Sequence, residues 1–483
     1  MSDGDEGADD HRDDQQSPAA GTRSGDRRLS TDACTKVGAC DAECPVAAVD
    51  DEFPGPKFQG AEQGRLNRPD DRIDDSITDC SNCLRCSDAC PSDVPFAALH
   101  NQTRAEYVRE QQSLSIEKVR NRILANYRTS ARLASVVPRT ANVVMGNRVV
   151  RWAMEKALKI PSEREFPAFA TQTFREWFDE RGGTAASKKR ARRAREQRGG
   201  EAISKERAGE AQAARGPSES AESDDKRVAY FHGCYSNFNT TGVAKAMVRV
   251  YERLGYEITV PRQKCSGTPM FANGRLDDAR RHARVNVDSL GRAIEDGYDI
   301  VCTCTSCSLA LREEYPHLFD IDGVDRVAAN TYDALEYLRI HEDLAAELKG
   351  AIDATDGESA DDESVDGASL DDESVDGERL AYHAPCHSRN QGLGRQVQEV
   401  FEAVDGIEVV DVGDSCSGIS GTYGWKAEHY DTSMEIGREM FEHIERADPD
   451  RGMTECPTCA MQMAHGTDRE VVHPFEMLER VLV

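Results

Sequence analysis

Apolar residues recur with a fixed period along parts of this chain and nearly vanish in others. From residue 227 onward, short apolar runs, VAYF (228–231), YEITV (256–260) and DIVCT (299–303), alternate with helically spaced segments such as VAKAMVRVYERL (243–254) and the stretch after Arg275. The order returns with LAYH (380–383), VQEVFEAV (397–404), IEVVDV (407–412) and the periodic segment at 433–444. Strand and helix in alternation predict two small α/β domains, each with a parallel sheet. Residues 115–180 carry a helical period, and Pro138 is predicted to break the basic part of it into two helices. Residues 1–30 and 188–225 lack the large apolar side chains needed to bury surface, which predicts a disordered tail and a linker.

The two α/β stretches are copies. RVAYFHGC (227–234) matches RLAYHAPC (379–386), KCSG (264–267) matches SCSG (415–418), and CTSC (304–307) matches CPTC (456–459). The four matched cysteines (234 to 386, 265 to 416, 304 to 456, 307 to 459) lie 152, 151, 152 and 152 residues apart, an offset too constant for chance. Between the copies DDESVDG occurs twice, at 361–367 and 371–377, and reads as a solvated linker. The predicted organisation is a disordered acidic tail (1–30), a cysteine-rich module (31–105), a helical connecting segment (106–180), a charged linker (181–226), a first cysteine-rich domain (227–345), an acidic linker (346–378) and a second cysteine-rich domain (379–483).

Charge narrows the partners. The chain is 483 residues long with a formal charge of −28; residues 1–32 hold nine acids and four bases, and residues 352–378 hold twelve acids and no base. Such a surplus argues against nucleic acid, whose phosphates need clustered Lys and Arg, and fits a solubility device for a salt-rich, halophilic cytoplasm. No signal peptide or membrane-spanning run is read, so the expected location is cytoplasmic, with any membrane work done from the surface. The exception is 116–160, where ten bases face two acids among helically spaced apolar residues. It is read as a membrane or partner face, or, alternatively, as a helix pair whose apolar stripe packs inward.

In a reducing cytoplasm the sixteen cysteines read as metal ligands rather than disulfides. CSNCLRCSDACP (80–91) is an unbroken C-x2-C-x2-C-x3-C-P run, the spacing that wraps thiolates around a four-iron cluster. CTKVGACDAECP (34–45) keeps three of its cysteines and places Val37 where the second belongs. Because the remote cysteine of such a run ligates the other cluster, one site is assigned Cys44, Cys80, Cys83 and Cys86, a [4Fe-4S] cluster, and the other Cys34, Cys40 and Cys90. With an apolar group at the fourth corner, the simplest occupant of the second site is a [3Fe-4S] cluster. The alternatives are a four-iron cluster completed by water, Asp41 or Glu43, or loss of the cluster. Each repeat supplies four more thiolates for an iron–sulfur cluster or zinc: Cys234, Cys265, Cys304 and Cys307 in the first, Cys386, Cys416, Cys456 and Cys459 in the second. The wide spacing is unlike a zinc ribbon. Cys302, whose equivalent is Thr454, reads as packing.

These residues resemble the cysteine-rich C…CCG…CxxC domain found in the B subunits of heterodisulfide reductases, in glycolate oxidase iron–sulfur subunits and in lactate-utilisation proteins. Through FPGPKFQGAEQGR (53–65), NRILANYRTSARLASVVPRTANVVMGN (121–147), QKCSGTPMFANG (263–274), CTSCSLALREEYP (304–316), CSGISGTYGWKAEHY (416–430) and HPFEML (473–478), the whole chain resembles the family of C subunits of anaerobic glycerol-3-phosphate dehydrogenases. The resemblance implies a ferredoxin-like two-cluster module followed by two repeated α/β cysteine-rich domains. It also implies an electron-transfer role, FAD-containing glycerol-3-phosphate dehydrogenase subunits as partners, membrane quinone as the acceptor (direct or through a partner), and a peripheral place on the inner face of the membrane. Ser266 and Ser417 stand where the second cysteine of CCG would be, which counts against five-thiolate clusters and disulfide reduction. No G-x-G-x-x-G lies between a strand and a helix, so no flavin or nicotinamide site is expected on this chain, and no catalytic residue is assigned. The rival readings are an iron–sulfur subunit of a related lactate, glycolate or disulfide oxidoreductase, and a zinc-binding structural scaffold.

Overall fold

The computed structural model describes residues 34–63, 72–198, 226–355, 377–402, 404 and 406–483. The expected tail, most of the charged linker (199–225) and the acidic stretch 356–376 lie outside them. The cysteine-rich module is built from loops and helical turns of four or five residues, closed by α1 (Phe96–Glu106), whose Phe96, Ala98 and Leu99 are buried. The basic segment forms four short helices rather than two: α2 (Ile116–Ala125), α3 (Tyr127–Ala134), α4 (Pro138–Gly146) and α5 (Arg148–Leu158). Pro138 does not break a helix but starts one, at the position where its missing N–H costs nothing. The other breaks fall at Asn126 and Asn147, and the Asn147 side chain caps α5 by accepting from Val149 and Val150.

The charged linker expected from 181 begins instead with α6 (Gly183–Gln197), which buries Ser187, Ala191 and Ala194 against the sheet edge; the Ser187 hydroxyl accepts from the Ile258 N–H at 3.0 Å. The acidic linker expected from 346 likewise begins as the helix Leu344–Thr355, with Leu344 and Leu348 in the core.

The apolar runs of the repeat become strands. β1 (Arg227–Tyr230), β2 (Glu257–Thr259), β3 (Asp299–Cys302) and β4 (Thr331–Asp333) pair in parallel in the order β2-β1-β3-β4. β5 (Glu378–Tyr382), β6 (Ile407–Asp411), β7 (Arg451–Met453) and β8 (Val471–Val472) repeat it as β6-β5-β7-β8. The registers set Val228 against Ile258 and Asp299, and Leu380 against Val409 and Arg451. The edge strands β4 and β8, too short for a periodic signal, end in matching capping boxes at Asp333 and His473. The two copies are not separate bodies: one core joins Val228, Tyr230 and Ile258 to Leu380, Tyr382 and Phe475, and the last helix, α8 (Pro474–Leu482), packs on α7 (Thr241–Arg253) of the first copy. No helix among the described residues is long and apolar enough to cross a membrane.

In each sheet the order reverses beside its first strand, and in such sheets ligands bind at the carboxyl ends of the strands at that reversal. Cys234 follows β1 and Cys304 follows β3; Cys386 follows β5 and Cys456 follows β7.

Candidate functional site

The two C-P motifs share one backbone path. Lys36 and Asn82 have φ of 62° and 61°, Gly38 and Leu84 of 81° and 67°, and each pair leads into a four-residue helix carrying the third cysteine, Ala39–Ala42 or Arg85–Asp88. A leucine held left-handed costs about 1–2 kcal/mol, so the loop is fixed by what it wraps. Cys44, Cys80, Cys83 and Cys86 line one small cavity with Phe53, Leu84 and His100, the set grouped from spacing. Cys34, Cys40 and Cys90 gather against Val94, Phe96 and Leu99, with Cys86 at their border.

Val37 occupies its motif position but is 65 % exposed, whereas its counterpart Cys83 is 9 % exposed under the second repeat. The apolar group expected at the fourth corner therefore faces solvent in this loop. The two candidate carboxylates are already engaged. Asp41 accepts from the Lys57 N–H at 2.9 Å and pairs with its ammonium at 3.4 Å, and Glu43 pairs with Arg85 at 3.0 Å.

Burial would raise the Cys80 thiol, but His100, with Nδ1 3.6 Å from the sulfur, and Arg104 outweigh it and bring it down to about 6. Arg104 is itself buried, donating to the carbonyls of Cys80 (2.8 Å), Ile77 (3.2 Å) and Phe271 (3.5 Å), so it ties this site to the first repeat. Cys44, without such a partner, is pushed up to about 12 by burial.

The repeat thiols sit on matching supports. Cys304 and Cys456 are N-cap residues of the helices Thr305–Leu309 and Pro457–Thr467, with ψ of 115° and 117°, and Cys307 and Cys459 fall in the first turn. Helix N-termini favour thiolates. The glycines of the two CSG stretches, Gly267 and Gly418, have φ of 107° and 85°. A Cβ on Gly418 would lie 2.0 Å from the Ser433 carbonyl oxygen, and one on Gly233 3.0 Å from the Cys307 sulfur, so only glycine leaves this space. The serines of CSG touch the last cysteine of their own copy: the Cys307 thiol donates to Ser266 Oγ at 3.4 Å, and the Ser417 hydroxyl donates to Cys459 Sγ at 3.3 Å. Cys302 is fully buried in an apolar cluster that also holds Cys307, with Cys304 packed against it.

All eight repeat cysteines, with Cys83, line a single cavity of about 1340 Å³ including its mouth, walled also by Leu124, Tyr127, Phe166 and Trp425. Cys83, Cys386 and Cys416 pack together, and a hydrogen bond from Cys416 lowers the Cys83 thiol. Arg128 reaches Cys234 at 3.9 Å, and Tyr127 stacks on Tyr235 at 5.1 Å, whose hydroxyl feels thiols of both copies. No group of three or more His, Cys, Asp or Glu among the described residues is gathered tightly enough for a single metal ion. All sixteen cysteines are free of disulfides. An all-sulfur donor set around buried cavities, with glycine-made clearance and N–H and O–H groups aimed at sulfur, fits iron–sulfur clusters. Spacing found the thiols; Arg104, Arg128, His100 and Tyr235 carry no motif and were missed.

The fold and the thiol layout define an iron–sulfur subunit of an oxidoreductase. A family model described as a 4Fe-4S dicluster domain matches residues 30–94, and one described as a cysteine-rich domain matches twice, over 228–312 and 380–464. The C subunit of the anaerobic glycerol-3-phosphate dehydrogenase of Escherichia coli is 30 % identical over 453 residues, covering 93 % of this chain and 98 % of that protein, so this chain belongs to the family of those C subunits. Partial likenesses extend to lactate utilization protein A of Geobacillus thermodenitrificans (30 % over 237 residues, 46 % of this chain and 84 % of that protein) and to the B subunit of the fumarate reductase (CoM/CoB) of Methanothermobacter marburgensis (26 % over 255 residues, 52 % and 44 %).

Proposed function

We propose that this chain is the electron-transfer subunit of an anaerobic sn-glycerol-3-phosphate dehydrogenase complex, taking electrons from FAD-containing subunits and passing them toward quinone at the inner face of the cell membrane. The observation that carries the reading is the joining of the thiol sets. Cys83 of the two-cluster module packs on Cys386 and Cys416 of the second repeat, and the first repeat opens onto the same cavity. Clusters bound there would supply one-electron carriers. The chain's residues hold, bury and tune them: Cys44, Cys80, Cys83 and Cys86 a [4Fe-4S] cluster, Cys34, Cys40 and Cys90 a [3Fe-4S] cluster, and the eight repeat thiols one site per copy. The three-iron occupant is supported by the missing fourth thiol and by the pairing of Asp41 with Lys57 and of Glu43 with Arg85; its rival is a water ligand at the corner that the exposed Val37 leaves open.

The test is anaerobic purification with its co-purifying partners, followed by iron, sulfide, zinc and flavin analysis and by addition of sn-glycerol 3-phosphate. Cluster reduction that requires both the substrate and a co-purified flavoprotein is expected. Zinc without sulfide, or reduction by lactate or glycolate and not by glycerol 3-phosphate, overturns the reading.

A further inference from the structure

Among the described residues fourteen large hydrophobic side chains are exposed, and eleven of them fall between residues 114 and 152. They concentrate along α2 to α5 and the turns between them. Leu133, Val136 and Val137, at the turn from α3 to α4, are 70 %, 76 % and 55 % exposed, and Val143, Val149 and Trp152 are exposed on α4 and α5. Scattered single apolar residues on a surface need no explanation, but eleven within one short stretch of the chain point to an interaction face.

The structure also sorts the bases. Six of the ten are committed within the protein. Lys118 donates to the Val108 and Gln112 carbonyls, Arg120 is buried on Glu428, Arg128 lies over Phe238 beside Cys234, Arg151 pairs with Glu165, Lys156 with Glu155, and Lys159 with Glu117. The other four, Arg122, Arg132, Arg139 and Arg148, are exposed and have no ion pair among the described residues. In a chain of net charge −28, the free cations of this segment thus stand beside its exposed apolar side chains.

We infer that α2 to α5 form an interfacial face that lies on an anionic lipid bilayer, with Val136, Val137 and Trp152 entering the headgroup boundary and the four free arginines meeting lipid phosphates. The inference rests on the reading above and deepens it by naming the surface that brings the chain to the membrane. Charge complementarity selects the occupant: an exposed valine-rich turn flanked by arginines with no ion pair among the described residues, with an exposed tryptophan on α5, matches the layered chemistry of a bilayer surface. The helices are 8 to 11 residues long, fit to lie in the interface rather than to span it. Leu124 and Tyr127, on the first two of these helices, wall the thiol cavity, so the same elements serve both surfaces.

The full chain is tested by flotation with vesicles of pure phosphatidylcholine and of phosphatidylcholine with phosphatidylglycerol, in low and high salt. Wild type should float with the anionic vesicles. Replacing Arg122, Arg132, Arg139 and Arg148 by Gln should weaken that binding at low salt by about fivefold per arginine, hence on the order of several hundredfold. The triple variant Val136→Ser, Val137→Ser, Trp152→Ser should lose the binding that survives in high salt. Circular dichroism and iron content, read on every sample, report folding and loading. Cluster-loaded wild type that ignores both vesicle types, or that binds only a flavoprotein through this face, overturns the lipid face. Protein that floats but holds no iron overturns the electron-transfer reading and leaves the face standing.

Discussion

Replacing Arg104 by Met tests how the two-cluster module is both fastened and tuned. The guanidinium is 1 % exposed and donates to carbonyls of Cys80 and Ile77 at 2.8 and 3.2 Å and of Phe271 at 3.5 Å. Hydrogen bonds from a charged donor contribute about 1.5–3 kcal/mol each, so loss of the two shorter ones is expected to cost about 3–6 kcal/mol, a large part of the roughly 5–15 kcal/mol that holds a domain folded. The second effect is electrostatic. Reduction adds an electron near Cys80, and a fixed cation favours the reduced form, so removing it must lower the potential. At an effective dielectric of about 20, a unit charge roughly 6 Å away is worth on the order of 3 kcal/mol, or ~100 mV for one electron. Arg104→Lys keeps the charge but not the three-way fork, so it should lose stability and leave most of the potential. Denaturant unfolding and a redox titration followed by electron paramagnetic resonance read the two effects separately. A Met variant with the wild-type potential, or a Lys variant shifted as far as Met, refutes the electrostatic reasoning.

Ser266→Ala and Ser417→Ala each remove a hydroxyl beside the last thiol of a repeat. If that bond favours the reduced site by about 1 kcal/mol, the potential of the affected repeat should fall by ~40 mV, and an unchanged titration curve would show that the serine only fills space. Burial raises the Glu314 carboxyl to about 8, against the Asn101 hydrogen bond that opposes it. The folded state therefore keeps a proton that the unfolded chain releases near 4.5, and stability should decline as pH rises from about 4.5 to about 8, by up to ~1.4 kcal/mol per pH unit. Glu314→Gln should lessen that slope in denaturation curves at pH 5, 6.5 and 8, with Glu455, raised by burial to about 8 as well, carrying the rest; an unchanged slope refutes the part assigned to Glu314. Val37→Cys places a thiol on a backbone already shaped like that around Cys83. The oxidised three-iron resonance expected in wild type should vanish in the variant, and its absence from wild type would dispose of the three-iron site.

The sequence by itself determined what depends on neighbours along the chain. The strands of the repeat follow from short continuous apolar runs, because a covered parallel sheet buries both faces, and its helices follow from a period of 3.6, because burial on one face imposes it. The gathering of Cys80, Cys83 and Cys86 follows from loop spacing, because a short loop can bring its thiols to only one place, while Cys44 was grouped with them by the rule that the remote cysteine of such a run serves the other site. The helix Gly183–Gln197 escaped notice because its buried stripe is Ser187, Ala191 and Ala194, small residues that score as solvated yet allow close approach to the sheet. Only the tertiary structure decided which distant groups meet. Nothing local in the sequence places Arg104 under Cys80, sets Cys83 against Cys416, turns eight repeat thiols toward one cavity, or separates four free arginines from six committed ones. Those are contacts between residues far apart in the chain, fixed when the two copies bury a shared core and the helical segment packs across their open ends.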